Sequence, residues 1–311
     1  MFIEGFCAPW GTKPFNRLGL ADYTRSSRHA VLAASAQQRY VSTSGRPLTV
    51  GLQRLFWAFA GLALIAGVLL FVLSEHTDDW WSWTITPPLT AAFLGASYWA
   101  ACVLLAWTAR RSSWERARAT VVPVALIAVL LLIATLIHLD RFDLDSLFGV
   151  FWLTVYILVP PVLVALVWRQ LRVPGDPAPR GEPLPAALRG ALALQAAVML
   201  GVGIALYVAP STADTVWPWT LTPLTARAVG AFVIGFGAAA AHAVVENDVT
   251  RFEGAAYAYA TLGALELVAL ARYSDTLHAS AVGEAAYFAF AVSVLAVGVD
   301  GSLRARRLQR S

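Results

Sequence analysis

The chain has 311 residues, of which 58% are hydrophobic and only 14% charged. A soluble fold of this length carries nearer a quarter charged residues and could not hide so much apolar surface from water, so a water-soluble globular protein is excluded. Net charge is +4, yet residues 1–50 carry six basic and two acidic side chains, which leaves the remainder neutral; no basic patch with interleaved aromatics points to nucleic acid.

Residues 1–50 contain no spanning run and lack the compact apolar stretch and cleavage pattern of a secretory signal. Their Arg- and Ser-rich composition fits a disordered cytoplasmic tail, with an organelle transit peptide as the other reading. Eight apolar runs follow, each long enough to cross the hydrocarbon core of a bilayer, near 55–73, 89–108, 120–138, 147–168, 190–208, 224–243, 254–271 and 284–299. Residues 169–189, RQLRVPGDPAPRGEPLPAALR, form the longest polar connection, and their prolines mark a cytoplasmic linker. A basic tail, 301–311, closes the chain. Pro160 and Pro161 interrupt the fourth run and predict a kink, while Gly230, Gly235 and Gly237 give the sixth a small-residue face.

Twenty of the 23 basic residues fall on one side of this topology when the N-terminus is cytoplasmic; Arg141, Arg227 and Arg272 fall on the other. Cytoplasmic loops collect Lys and Arg, so both termini are expected inside. The outer loops collect carboxylates instead, among them Glu75, Asp140, Asp214 and Asp275.

A self-match divides the chain. Residues 81–96 read WSWTITPPLTAAFLGA and residues 217–231 read WPWTLTPLTARAVGA, about 135 residues apart, with one extra proline in the first copy. The same offset pairs Asp140 with Asp275. The expected fold is therefore an all-α integral membrane protein of about eight transmembrane helices arranged as a parallel 4+4 duplicated bundle. Residues 51–168 form one repeat and residues 190–300 the other, related by an axis along the membrane normal. In each motif Thr86 or Thr222 precedes a proline and is placed to cap the next helix. Trp81, Trp83, Trp217 and Trp219 suit two roles: interfacial anchors at the headgroup level, or the walls of an outward-facing ligand cleft.

Charges inside spans are costly and so point to function. Arg227 and Glu266 lie at similar depth in consecutive antiparallel helices, which makes them a candidate pair. Their counterparts in the first repeat are Ala92 and Leu131. One role for the pair is to lock helix register; the other is a substrate or ion site, with Arg227 holding an anionic group and Glu266 taking a cation or proton. Tyr259, Glu266 and Tyr273 recur every seven residues on one helix face, with Gly263 beside them for close approach. Arg272 stands at the outer end of that helix. His138, Asp140, Arg141 and Asp275 form an outer-face polar group, with His76 and His278 nearby, but their spacing is not that of a metal site.

Cys7 and Cys102 form no CxxC pair. Phosphate-cradling, dinucleotide and hydrolase motifs are missing, and the spans contain no lysine. No cofactor is expected. Three functions fit: a permease-like transporter with an outer-leaflet polar site, a non-catalytic subunit of a larger membrane complex, or an intramembrane enzyme acting on a lipid carrier. The expected partners are membrane lipids, with a second membrane protein or another copy of the chain as further possibilities. Abundant Ala and Arg with a single lysine fit a bacterial inner membrane.

Overall fold

The computed structural model describes residues 45–212, 217–277 and 281–310. The expected N-terminal tail, apart from its last few residues, lies outside them, as do Cys7, Asp214 and His278. The described chain is all-α. Eight helices are long and apolar enough to cross a membrane: α1, Val50–Gly67, prolonged by a π-helical turn over Val68–Val72; α2, Pro88–Ala109; α3, Trp114–Ile137; α4, Leu147–Leu171; α5, Ala186–Val208; α6, Pro223–Glu246; α7, Val249–Arg272; and α8, Ala281–Leu308. Most run past the apolar stretch that signals them. Thus α3 starts at Trp114 and α8 reaches Leu308, because the flanking Arg, Glu and Ala residues are good helix formers.

The helix ends explain where the chain turns. Between α6 and α7 only Asn247 and Asp248 intervene. Asn247 adopts the left-handed conformation, φ 47°, which asparagine tolerates better than most residues. Asp248 then caps α7, accepting from the backbone N–H groups of Thr250 and Arg251. At α6 the expected cap is present: Thr222 accepts from the Thr225 N–H and Pro223 opens the helix. At α2 the extra proline displaces it, so Pro87 holds the cap position and Thr86 caps nothing. Helix α4 runs from Leu147 to Leu171 with Pro160 and Pro161 inside it.

Helices α2 and α6 form the centre, with 67% and 72% of their most apolar windows buried by protein, against 17% for α4. The packing crosses the chain: α6 lies on α5 and α3, whereas α2 lies on α1 and α7. Helix α7 also packs along α8, where a Cβ at Gly263 would stand 2.5 Å from the Leu295 backbone and one at Gly298 only 2.2 Å from that of Ala260. Only glycine permits this approach.

The segment after α4 is a fastened strap. The Gly181 N–H donates to Asp248 Oδ2 at 2.7 Å, and the Val249 N–H donates to the Glu182 carbonyl at 2.9 Å. Arg251 Nη2 reaches the Ala178 carbonyl at 2.7 Å, while Arg46 Nε reaches that of Gly175 at 2.9 Å. These bonds lie at the end of the bundle that carries most arginines, the arginine end; the opposite one is the tryptophan end.

Candidate functional site

The tryptophan motifs fold into two aromatic clusters, not membrane anchors. Trp83, Trp217 and Trp219 are buried within the protein and Trp81 is half-buried. Trp217 and Trp219 pack edge-to-face at 5.0 Å, and both meet Tyr287 of α8 and Phe93 of α2. Trp81 and Trp83 likewise meet Trp152 of α4. Edge-to-face geometry sets the positive rim of one ring against the negative face of the next. The Trp219 indole N–H also donates to Thr90 Oγ1 of α2 at 2.9 Å, and that of Trp152 donates to Thr135 Oγ1 of α3 at 2.9 Å. Interior packing therefore replaces the interfacial role that tryptophan composition suggests.

Each cluster roofs a cavity. The larger, about 440 Å³, is enclosed by α5, α6, α7 and α8, with Phe93 inserted from α2. Its walls are apolar and aromatic, and one ionisable carboxyl, that of Glu266, lines it. Glu266 is 4% exposed. Its Oε2 accepts from the Tyr287 hydroxyl at 3.1 Å, whereas Oε1 has no hydrogen-bond partner among the described residues. The indole N–H of Trp217, also in the wall, has none either. The cavity reaches the surface between α5 and α8, where Val198 is 41% exposed and Ala286 is exposed. The smaller cavity, about 260 Å³, lies among α1, α2, α3 and α4 with Phe232 inserted from α6; it holds no charged side chain, and its Tyr98 and Tyr156 hydroxyls pair at 2.8 Å.

Arg227 and Glu266 do not pair. Arg227 Nη1 lies 2.6 Å from His138 Nε2 and also reaches the Pro223 carbonyl. Although consecutive, α6 and α7 spend most of their surfaces on other helices, so Arg227 faces the end of α3 while Glu266 faces α8. Burial, and then the Arg227 guanidinium, push the His138 imidazole below its usual pKa; it is neutral and accepts through Nε2.

The heptad on α7 serves three separate neighbours. Tyr259 donates to the Phe236 carbonyl at 2.8 Å, Glu266 faces the cavity, and Tyr273 bonds Ser74 at 2.6 Å and donates to Glu75 at 3.1 Å. Burial raises the Tyr273 pKa, which keeps its hydroxyl a donor. Arg272 joins this clasp, reaching the Phe71 carbonyl at 3.0 Å in the π-helical turn of α1, and Glu75 at 3.4 Å. Among the described residues Arg141 pairs with its neighbour Asp140, at 3.3 Å and in solvent. Asp275 is exposed in the turn after α7. Among the described residues, no three His, Cys or carboxylate side chains gather as a metal site.

The arginine end holds a buried network that hydropathy places in loops. Glu246 binds Arg251 Nη1 at 2.6 Å and also Arg118, with His242 at 3.4 Å. Glu253 faces Arg111 at 4.0 Å and accepts from Gln309 at 2.9 Å. Burial works against a charge on Asp248, but the Gly181, Thr250 and Arg251 N–H groups and the Thr250 hydroxyl hold its pKa below the usual carboxylate value. The sequence signal for this network is the crowding of Glu246, Asp248, Arg251 and Glu253 between two apolar runs. The signal for Tyr287 is an aromatic hydroxyl within a span.

Comparison of the chain with protein-family models, curated proteins and solved structures finds no match.

Proposed function

We propose that this polytopic membrane protein is a permease-like carrier whose binding chamber is the Glu266 cavity, entered sideways from the bilayer between α5 and α8. The observation that carries the reading is Glu266 itself: a buried carboxyl with an unpartnered oxygen, facing about 440 Å³ of apolar space. Such a group is costly in any bundle that is merely structural, and the volume lies in the range of small-ligand sites.

The parallel 4+4 duplication belongs to this reading. Ile127 and Leu262, Ala128 and Gly263, Phe151 and Ala286, Trp152 and Tyr287, and Val155 and Phe290 line corresponding places in the two cavities at one constant offset in the numbering. The crossed packing of α2 on α7 and α3 on α6 also follows from a two-fold axis between halves. Two related halves that enclose cavities are able to rock against each other, as in other repeat-built transporters. The arginine end faces the cytoplasm, in accord with its excess of positive charge.

The test compares vesicles that hold the native protein with vesicles that hold Glu266→Gln, over a panel of membrane-permeant solutes and under an imposed pH gradient. A solute flux present with the first and absent with the second supports the carrier reading; identical fluxes for every solute sink it. A second reading, a subunit of a larger complex, is favoured by α4, whose most apolar window is only 17% buried and which exposes Leu147, Leu158, Val164 and Leu171. A stoichiometric partner that copurifies in mild detergent and shields α4 would favour it.

A further inference from the structure

Resting on the reading of the Glu266 cavity as a solute site, we propose that its ligand is a lipophilic amine, held as an ammonium ion on the Glu266 carboxylate. Three features of the wall point to this class. First, the described lining contains no lysine, arginine or histidine, so no protein cation answers the carboxyl. Second, Glu266 belongs to the chamber wall and its Oε1 has no hydrogen-bond partner among the described residues, while the Tyr287 hydroxyl donates to Oε2. Third, Phe93, Trp217, Phe236, Tyr287 and Phe290 line the same chamber with aromatic rings, whose faces attract cations and whose bodies accept an apolar tail.

The side chains that line the chamber from α2, α5, α6 and α8 and from the Trp217 loop include one titratable group besides Glu266, namely Tyr287. An ionised carboxylate alone among these walls costs too much, so the empty chamber holds the neutral acid. A free-base amine that arrives through the bilayer takes the acid's proton onto its nitrogen. The carboxylic O–H breaks, an N–H forms, and the products are an ammonium and a carboxylate in contact. Relative to an ammonium dissolved in water, binding then releases one proton to the solvent.

The proton bookkeeping sets the pH signature. While the dissolved amine stays charged and the empty site stays protonated, affinity rises about tenfold for each unit of pH. An apolar cavity that merely soaks up grease has no such slope.

The test uses the full-length protein in detergent and three probes of similar shape: 2-phenylethylamine, 2-phenylethanol and 3-phenylpropanoate. Binding is read by calorimetry in buffers of differing ionisation heat, which counts protons. The expected result is that the amine alone binds well, with release of about one proton, and that Glu266→Gln weakens it by about tenfold to a hundredfold, the range for loss of a charge-assisted hydrogen bond. Glu266→Asp, which keeps the charge, should retain part of the affinity and the proton release. Equal binding of the alcohol, preference for the acid, absence of binding by all three, or an unchanged Glu266→Gln each overturns the proposal. Amine binding without amine flux in vesicles leaves the ligand class standing and overturns only the carrier reading.

Discussion

Replacing Glu246 by alanine should be the most damaging single truncation of a charged side chain in the protein. The carboxylate answers Arg251, which is 6% exposed, and Arg118, which is about a third exposed at 34%. Removing one partner of a buried pair costs about 3–5 kcal/mol, since the survivor stays buried with its charge unanswered. Arg251 keeps Asp248 at 3.3 Å and the Ala178 carbonyl, which places the loss at the low end, about 3 kcal/mol. That corresponds to a fall of roughly 6–12 °C in the unfolding midpoint. Arg118→Ala should cost only about 1 kcal/mol, because Glu246 retains Arg251 and the lost side chain was partly in water. Thermal unfolding in detergent, followed by thiol labelling of Cys102 in a Cys7→Ser background, measures both. A midpoint for Glu246→Ala within a degree of the native protein, or equal losses for the two variants, would refute the claim that Arg251 is the partner that matters.

Other outcomes follow from the same geometry. Glu266→Leu should leave stability unchanged or raise it by up to about 2 kcal/mol in the same unfolding assay, because it removes a buried unpartnered oxygen, while vesicles holding the variant should no longer take up solute. Gly298→Val should open the α7–α8 contact, where even a Cβ would approach Ala260 to 2.2 Å, and cost about 2–3 kcal/mol in that assay. The His138 imidazole has a lowered pKa in the fold, so the stability it contributes is complete above the ordinary histidine value, about 6.5, and is lost as pH falls through that value toward the lowered one. Midpoints measured from pH 8 to pH 5 should fall for the native protein and change less for His138→Asn.

Much of the architecture was legible in the residues alone, because a bilayer demands apolar runs of one length and punishes every exception. All eight spans are read from that demand. Their ends are not, because charged residues such as Glu246 and Glu253 extend the helices once arginines are there to meet them. For Arg227 and Glu266 the direction of the side chains was not legible. Sequence numbers give height along a helix, whereas the neighbour a side chain meets depends on which helices cross, and here α6 turns to α3 and α5 while α7 turns to α2 and α8. The tryptophan motif announced itself by recurring, yet the same residue type serves a lipid interface and a protein interior. Only the arrival of Trp152 and Tyr287 from α4 and α8 decides for the interior.

Two of the ion pairs at the arginine end carry one more consequence. Arg111 pairs with Glu253 and Arg118 with Glu246, and under the proposed duplication Glu246 and Glu253 hold the places that Arg111 and Arg118 hold in the other half. Two first halves brought together in the same way would set arginine against arginine, and two second halves would set glutamate against glutamate. On that proposal the chain would be a heterodimer drawn on a single thread: neither half could mate with its own kind at this end, and Glu266 stands on one side only.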